Sequence, residues 1–118
     1  MKVYISGQIT SLKHDQYRKA FAAAAKFLEK EGHEAVDPSK LGKPEQRSWH
    51  YYMKKAIPQL CECDAIYMLK GWGNSKGAQL EMTIAKGLDM PIFYASEEQN
   101  ALEDLDTGDY GQQGILHG

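Results

Sequence analysis

The run Ala65-Ile66-Tyr67-Met68-Leu69 is uninterrupted apolar sequence, bounded by Asp64 and Lys70. A segment that is apolar throughout, rather than alternating, has both faces covered, so it reads as a central strand of a parallel sheet. Shorter strand-like segments surround it. Lys2 to Ser6 alternates Val3 and Ile5 with Tyr4, Glu34 to Val36 is closed by Asp37-Pro38, and Pro91 to Tyr94 forms a fourth. Between them lie helical patterns. Asp15 to Lys30 puts Tyr17, Ala20, Phe21, Ala24, Phe27 and Leu28 on one stripe, with Gly32 at its C-terminal end. A second helix starts near Ser48 with Trp49, Tyr52, Met53, Ala56 and Leu60 inward, and Pro58 is expected to kink or split it. A third follows the turn at Gly71 and Gly73.

Strand and helix alternate, which demands parallel strands joined by right-handed crossovers. The expected fold is α/β: a three-layer open parallel sheet of four to five strands, flavodoxin-like or Rossmann-like, in the order 2-1-3-4. Gly7, at the end of the first strand, is a residue free to take positive φ. The polar stretch Ser39 to Arg47, broken by Gly42 and Pro44, reads as a surface loop that could fold over a site. The single domain is expected to span residues 1–105, with a short helix around Glu97 to Leu105. Residues 106–118 contain four glycines and read as a flexible tail, mobile or held by a partner subunit.

Composition removes several classes of function. A formal net charge of −2 offers no basic surface for duplex nucleic acid, although small anionic ligands remain open. No apolar run approaches the roughly 20 residues that span a bilayer, and Met1 leads straight into a strand, so no membrane association is expected and the location is cytoplasmic. Cys61 and Cys63 lack a second ligand pair, and His14, His33, His50 and His117 are scattered, so no metal is implied.

One charge is out of place. Wound at 3.6 residues per turn, the segment Gly77 to Leu88 gathers Gln79, Thr83 and Lys86 on one side and Gly77, Ile84, Ala85 and Leu88 opposite. Glu81 falls in the middle of that apolar stripe. A carboxylate facing a core costs several kcal/mol unless it is paired, protonated or lining a cavity. Catalysis is one reason to keep it there; a structural pairing with Tyr4 or a backbone cap is another.

In an open parallel sheet the ligand lies beyond the carboxyl ends of the strands, where strand order reverses. With the order 2-1-3-4 that crevice lies between the first and third strands. Ser6 to Lys13, Lys70 to Lys76 and the start of the Glu81 helix converge there. Gly7, Gln8 and Ile9, then Trp72 and Asn74, then Gly77 are therefore candidates for contacting substrate or phosphate. The helix N-terminus favours an anion. Asn74 and Ser75 are natural N-caps, and the Ser75 hydroxyl can either cap its helix or donate to a phosphate oxygen. Trp72 can stack on a base or pack on a neighbouring helix or second subunit, and Trp49, Tyr51 and Tyr52 read as core or dimer-interface residues. The glycines at 71, 73 and 77 form neither a dinucleotide fingerprint nor a Walker loop.

Val3-Tyr4-Ile5-Ser6-Gly7, Cys63-Asp64-Ala65-Ile66 and Gly71-Trp72-x-x-Ser75-x-Gly77-Ala78-x-Leu80-Glu81 resemble the nucleoside 2-deoxyribosyltransferase superfamily. Within it the likeness runs to the small phage and bacterial branch and to the 2'-deoxynucleoside 5'-phosphate N-hydrolases, and it covers roughly Met1 to Tyr94. The resemblance implies that Glu81 is a nucleophile attacking the anomeric carbon, that Tyr4 contacts this glutamate or the sugar, and that Ser75 holds a 5'-phosphate. It implies no cofactor and a homodimer or larger homo-oligomer, with a nucleoside or nucleotide as small-molecule partner. Two positions depart from the pattern. The family's aspartate, eight residues before Asp64, is Ala56 here, with Asp64, Asp37 or a lysine as possible substitutes, and an arginine after the first strand is replaced by Thr10.

The expected activity is therefore N-glycosidic bond cleavage, by hydrolysis or deoxyribosyl transfer, on a nucleoside or its 5'-monophosphate. The competing expectation is a nucleotide-binding module that uses the same crevice with little or no turnover. A flavodoxin-like receiver or flavin protein is a third; the receiver form lacks the acidic cluster that a phospho-acceptor needs after the first strand.

Overall fold

The computed structural model describes residues 1–8, 14–41 and 48–95. Four strands, β1 (Lys2–Ser6), β2 (Glu34–Val36), β3 (Ala65–Met68) and β4 (Ile92–Tyr94), form one all-parallel sheet in the order β2-β1-β3-β4, the expected Rossmann-like arrangement. Three helices connect them: α1 (His14–Lys30), α2 (Trp49–Cys61) and α3 (Lys76–Gly87). Short 3-10 turns at Pro38–Leu41 and Trp72–Asn74 lead into the last two crossovers.

Register assigns the two faces. Tyr4 pairs with Ile66 and Ser6 with Met68, while Val3 pairs with Ala65 and Ile5 with Tyr67. Neighbours in a parallel ladder share a face, and faces alternate along each strand, so Tyr4, Ser6, Ile66 and Met68 project together. Phe27 of α1 stacks on Tyr67 with ring centroids 6.0 Å apart, which puts α1 on the opposite face. Helix α3 covers the Tyr4 and Ser6 face, with α2 packed beside it. All four β3 residues are buried, as a strand sandwiched between helical layers must be.

Pro58 does not divide α2, which runs as a single helix from Trp49 to Cys61. Proline deletes the bond to the carbonyl four residues earlier, but both Lys54 and Pro58 lie on the exposed side, where water satisfies that oxygen. The start of the polar stretch is not a surface loop either. Ser39 is fully buried, because Asp37 Oδ1 accepts from both its backbone N–H and its hydroxyl and turns the chain inward. The segment 42–47, the expected helix at 97–105 and the tail at 106–118 lie outside the described residues.

The turn after β3 does require a glycine, at Gly71, whose φ is +87°. Gly7 has no positive φ, contrary to the expectation from its place after β1; what it supplies is space. A Cβ there would stand 2.8 Å from Leu69 Cδ1 and 3.0 Å from Leu69 Cβ. Side by side, the ends of β1 and β3 are too close for a side chain at that point.

Candidate functional site

Glu81, the sixth residue of α3, is 4% exposed. Tyr4 Oη donates to its Oε2 at 2.6 Å and Ser6 Oγ donates to its Oε1 at 2.6 Å. Two residues on the same face of one strand thus grip the two oxygens of one carboxylate. Burial pushes the Glu81 carboxyl up to about 7, against which the bonds from Ser6 and Tyr4 favour the charged form. Tyr4 is driven well above the ordinary tyrosine range by its own burial and then by the Glu81 charge, so its phenol stays protonated and remains a donor.

This carboxylate lies on a small cleft, partly open to solvent, at the carboxyl end of the sheet and lined by residues from every layer. Gly7 follows β1, Phe21 belongs to α1, Pro38 follows β2, Trp49, Tyr52 and Met53 come from α2, and Ser75, Gly77 and Ala78 open α3. Gly77 allows α3 to approach α2, since a Cβ there would stand 3.1 Å from Met53 Sδ and 3.5 Å from Trp49 Nε1. Lys76 Nζ sits 4.1 Å above the Trp49 ring, which places a cation against that wall.

Ser75 is the N-cap of α3, its Oγ accepting from Ala78 N–H at 3.1 Å. Capping uses the oxygen and leaves the hydroxyl proton available, so the two roles weighed for this serine are compatible. Gly7, Ser75, Gly77 and Glu81 are thus gathered around one space. Trp72, Asn74 and Gln8 are not among its lining residues. Trp72 packs toward the sheet edge beside Tyr94, their ring centroids 6.5 Å apart; Asn74 is exposed; and the Gln8 side chain lies against Gly71. Ile9 lies outside the described residues. Among the described residues no group of three histidine, cysteine or acidic side chains could hold a metal ion.

Asp64 Oδ2 accepts from Lys2 N–H at the opposite, amino end of the strands, where it caps β1 and has no access to the cleft. Ala56 is fully buried. Sequence reasoning placed Ser6 at the start of a converging segment but gave it no part in holding Glu81, although the signal was present: it follows Tyr4 by two in a strand and must share its face. Phe21, Pro38 and Met53 carried no such signal, since an apolar wall residue and a core residue look alike in sequence. Tyr52 Oη donates to the Pro38 carbonyl at 3.2 Å, so this residue is part of the wall as well as the core.

A parallel sheet in this order, with a doubly bonded buried carboxylate at its switch point, defines a Rossmann-like domain with a carboxylate-lined cleft. Residues 1–94 match a domain of unknown function, DUF4406, and the chain belongs to that family. No curated protein matches it. No helix among the described residues is long and apolar enough to cross a membrane.

Proposed function

We propose that the protein cleaves the N-glycosidic bond of a nucleoside or nucleoside 5'-monophosphate, with Glu81 as nucleophile. The observation that carries this reading is the Glu81 carboxylate itself: buried, held at both oxygens, and facing a cleft rather than an ion pair. A structural carboxylate would be expected to meet a cation, and a solvated one would not need two buried hydroxyl donors. Phe21, Trp49, Tyr52 and Met53 supply the apolar and aromatic walls suited to a base. The N-terminus of α3 and the Ser75 proton suit a 5'-phosphate.

In the first step a Glu81 oxygen attacks the anomeric carbon as the glycosidic C–N bond breaks and its electron pair leaves with the base, giving a glycosyl ester. Water or a second base then attacks the same carbon, the ester C–O bond breaks, and the carboxylate is restored. With water, the proton it loses ends on the departed base, so H and OH have been added across the original bond. Tyr4 and Ser6 hold the carboxylate in one orientation throughout. The resemblance in sequence extends the proposal to a cofactor-free homo-oligomer.

The experiment is a panel of nucleosides, deoxynucleosides and their 5'-monophosphates with chromatographic detection of free base. Release from at least one member, abolished by Glu81→Gln in a folded protein, is expected; no release from any member would end the proposal. Ala56 favours a second reading, a nucleotide-binding module, because a buried methyl stands where the resembling enzymes carry an acid. Thermal stabilisation by a nucleotide without any base release would select it.

A further inference from the structure

Of the ten residues lining the cleft, only Trp49, Tyr52, Ser75 and Glu81 have side chains able to hydrogen-bond, and their polarities are already fixed by their neighbours. The Trp49 indole can only donate, and Ser75, its oxygen occupied by Ala78 N–H, has a proton to give. Glu81 only accepts while it is ionised. The Tyr52 proton is committed to the Pro38 carbonyl, so the lone pairs of its oxygen are what it can offer to a ligand. Of these four side chains two donate and two accept, and Tyr52 belongs with Glu81 on the accepting side.

We infer that Tyr52 is a substrate-positioning residue whose phenolic oxygen accepts a hydrogen bond from a hydroxyl of the sugar ring. The inference rests on the glycosidase reading of the cleft and adds a specificity element to it. A phosphate, which brings no proton at neutral pH, belongs at the α3 N-terminus and Ser75 rather than beside the two acceptors Tyr52 and Glu81. A sugar brings hydroxyl donors close to the anomeric carbon that Glu81 would attack, which places a donor and a reacting centre on the same side. Tyr52 is 8% exposed and tied at its far end to the turn after β2, so its oxygen is held in place before a ligand arrives. Burial and the Glu81 charge both push the phenol well above the ordinary tyrosine range, which keeps it protonated at neutral pH.

The test crosses one protein change with one substrate change. Tyr52→Phe and the wild type are each assayed for base release from a 2'-deoxynucleoside and from the matching 2',3'-dideoxynucleoside, with thermal melting to verify folding. The variant should lose about 10-fold or more in kcat/KM on the substrate that carries the 3'-hydroxyl, the ring hydroxyl in question, and change less than about twofold on the dideoxy compound. Equal losses on both would mean that Tyr52 acts only by fixing the Pro38 turn, and no loss on either would mean that it does not touch the sugar; each overturns the inference while leaving the glycosidase reading intact. Wild-type protein that releases no base from any substrate fails at the earlier step, and the inference falls with it.

Discussion

Ser6 and Glu81 are joined by a 2.6 Å hydrogen bond across 75 residues of sequence, and Tyr4 closes the other side of the same carboxylate. Strand β1 supplies both donors because its alternation sets Tyr4 and Ser6 on one face, and α3 lies over that face with Glu81 pointing down. The short serine and the long tyrosine meet one side chain from two heights along the strand.

Removing either donor should raise the Glu81 pKa further above 7, because each bond favours the ionised form. In Ser6→Ala and Tyr4→Phe the acidic limb of the kcat/KM profile should move to higher pH by up to about one unit, with activity at pH 7 falling by up to about 5-fold. A profile that keeps its midpoint would show that these hydroxyls do not tune the carboxylate.

Stability should depend on pH through the same residue. The folded protein holds the Glu81 proton more tightly than the unfolded chain does, with a pKa near 7 against 4.5, so the stability this gives is fully present below about pH 4.5 and lost as pH rises through 7. A shift of that size corresponds to roughly 3 kcal/mol at most. Melting temperature should therefore fall between pH 5.5 and 8.5, and Glu81→Gln should flatten that fall and be the more stable protein at pH 8.5.

Most of the architecture was legible because period and burial speak directly in sequence. The apolar run at 65–69 and the alternation at 2–6 marked two strands of the sheet, its order was the common one for alternating strands and helices, and Glu81 declared itself as a charge on an apolar stripe. What could not be read depends on neighbours distant in sequence. Trp72 and Asn74 sit in a loop that reaches the crevice, yet the turn at Gly71 sends them to the sheet edge and the surface. Ser39 looked like loop, and only the bonds to Asp37 reveal that it is buried. Gly7 looked like a turn residue, but its absent side chain matters because Leu69 is there.

Gly7→Ala should destabilise by about 1–3 kcal/mol, since the new Cβ meets both the end and the root of the Leu69 side chain. Chemical denaturation of Gly7→Ala, Leu69→Ala and the double variant should give less than the sum of the single losses, because truncating Leu69 removes the clash. Strict additivity would show that the two do not meet.

Ala56→Asp should separate function from stability. A carboxylate placed at a fully buried site should lower the melting temperature at pH 8, and less so at pH 5, where it can protonate. If it restores an acid to the cleft, base release should rise about 10-fold or more over the wild type. An unchanged rate in a folded variant would show that the acid is supplied elsewhere or not needed.

The two bonds to Glu81 also make the cleft a sensor of the whole domain. Their partners lie 75 and 77 residues apart, so no hairpin, helix pair or fragment ending before α3 contains both halves. Ordering so distant a pair carries a loop-closure cost that is repaid only when the sheet and its second helical layer are in place together. A folding intermediate that had β1 paired but α3 undocked would leave two hydroxyls on a bare strand and a carboxylate free in water, with the pKa of an ordinary glutamate. The appearance of the perturbed titration during refolding would then mark the moment at which the chain becomes a protein with a site.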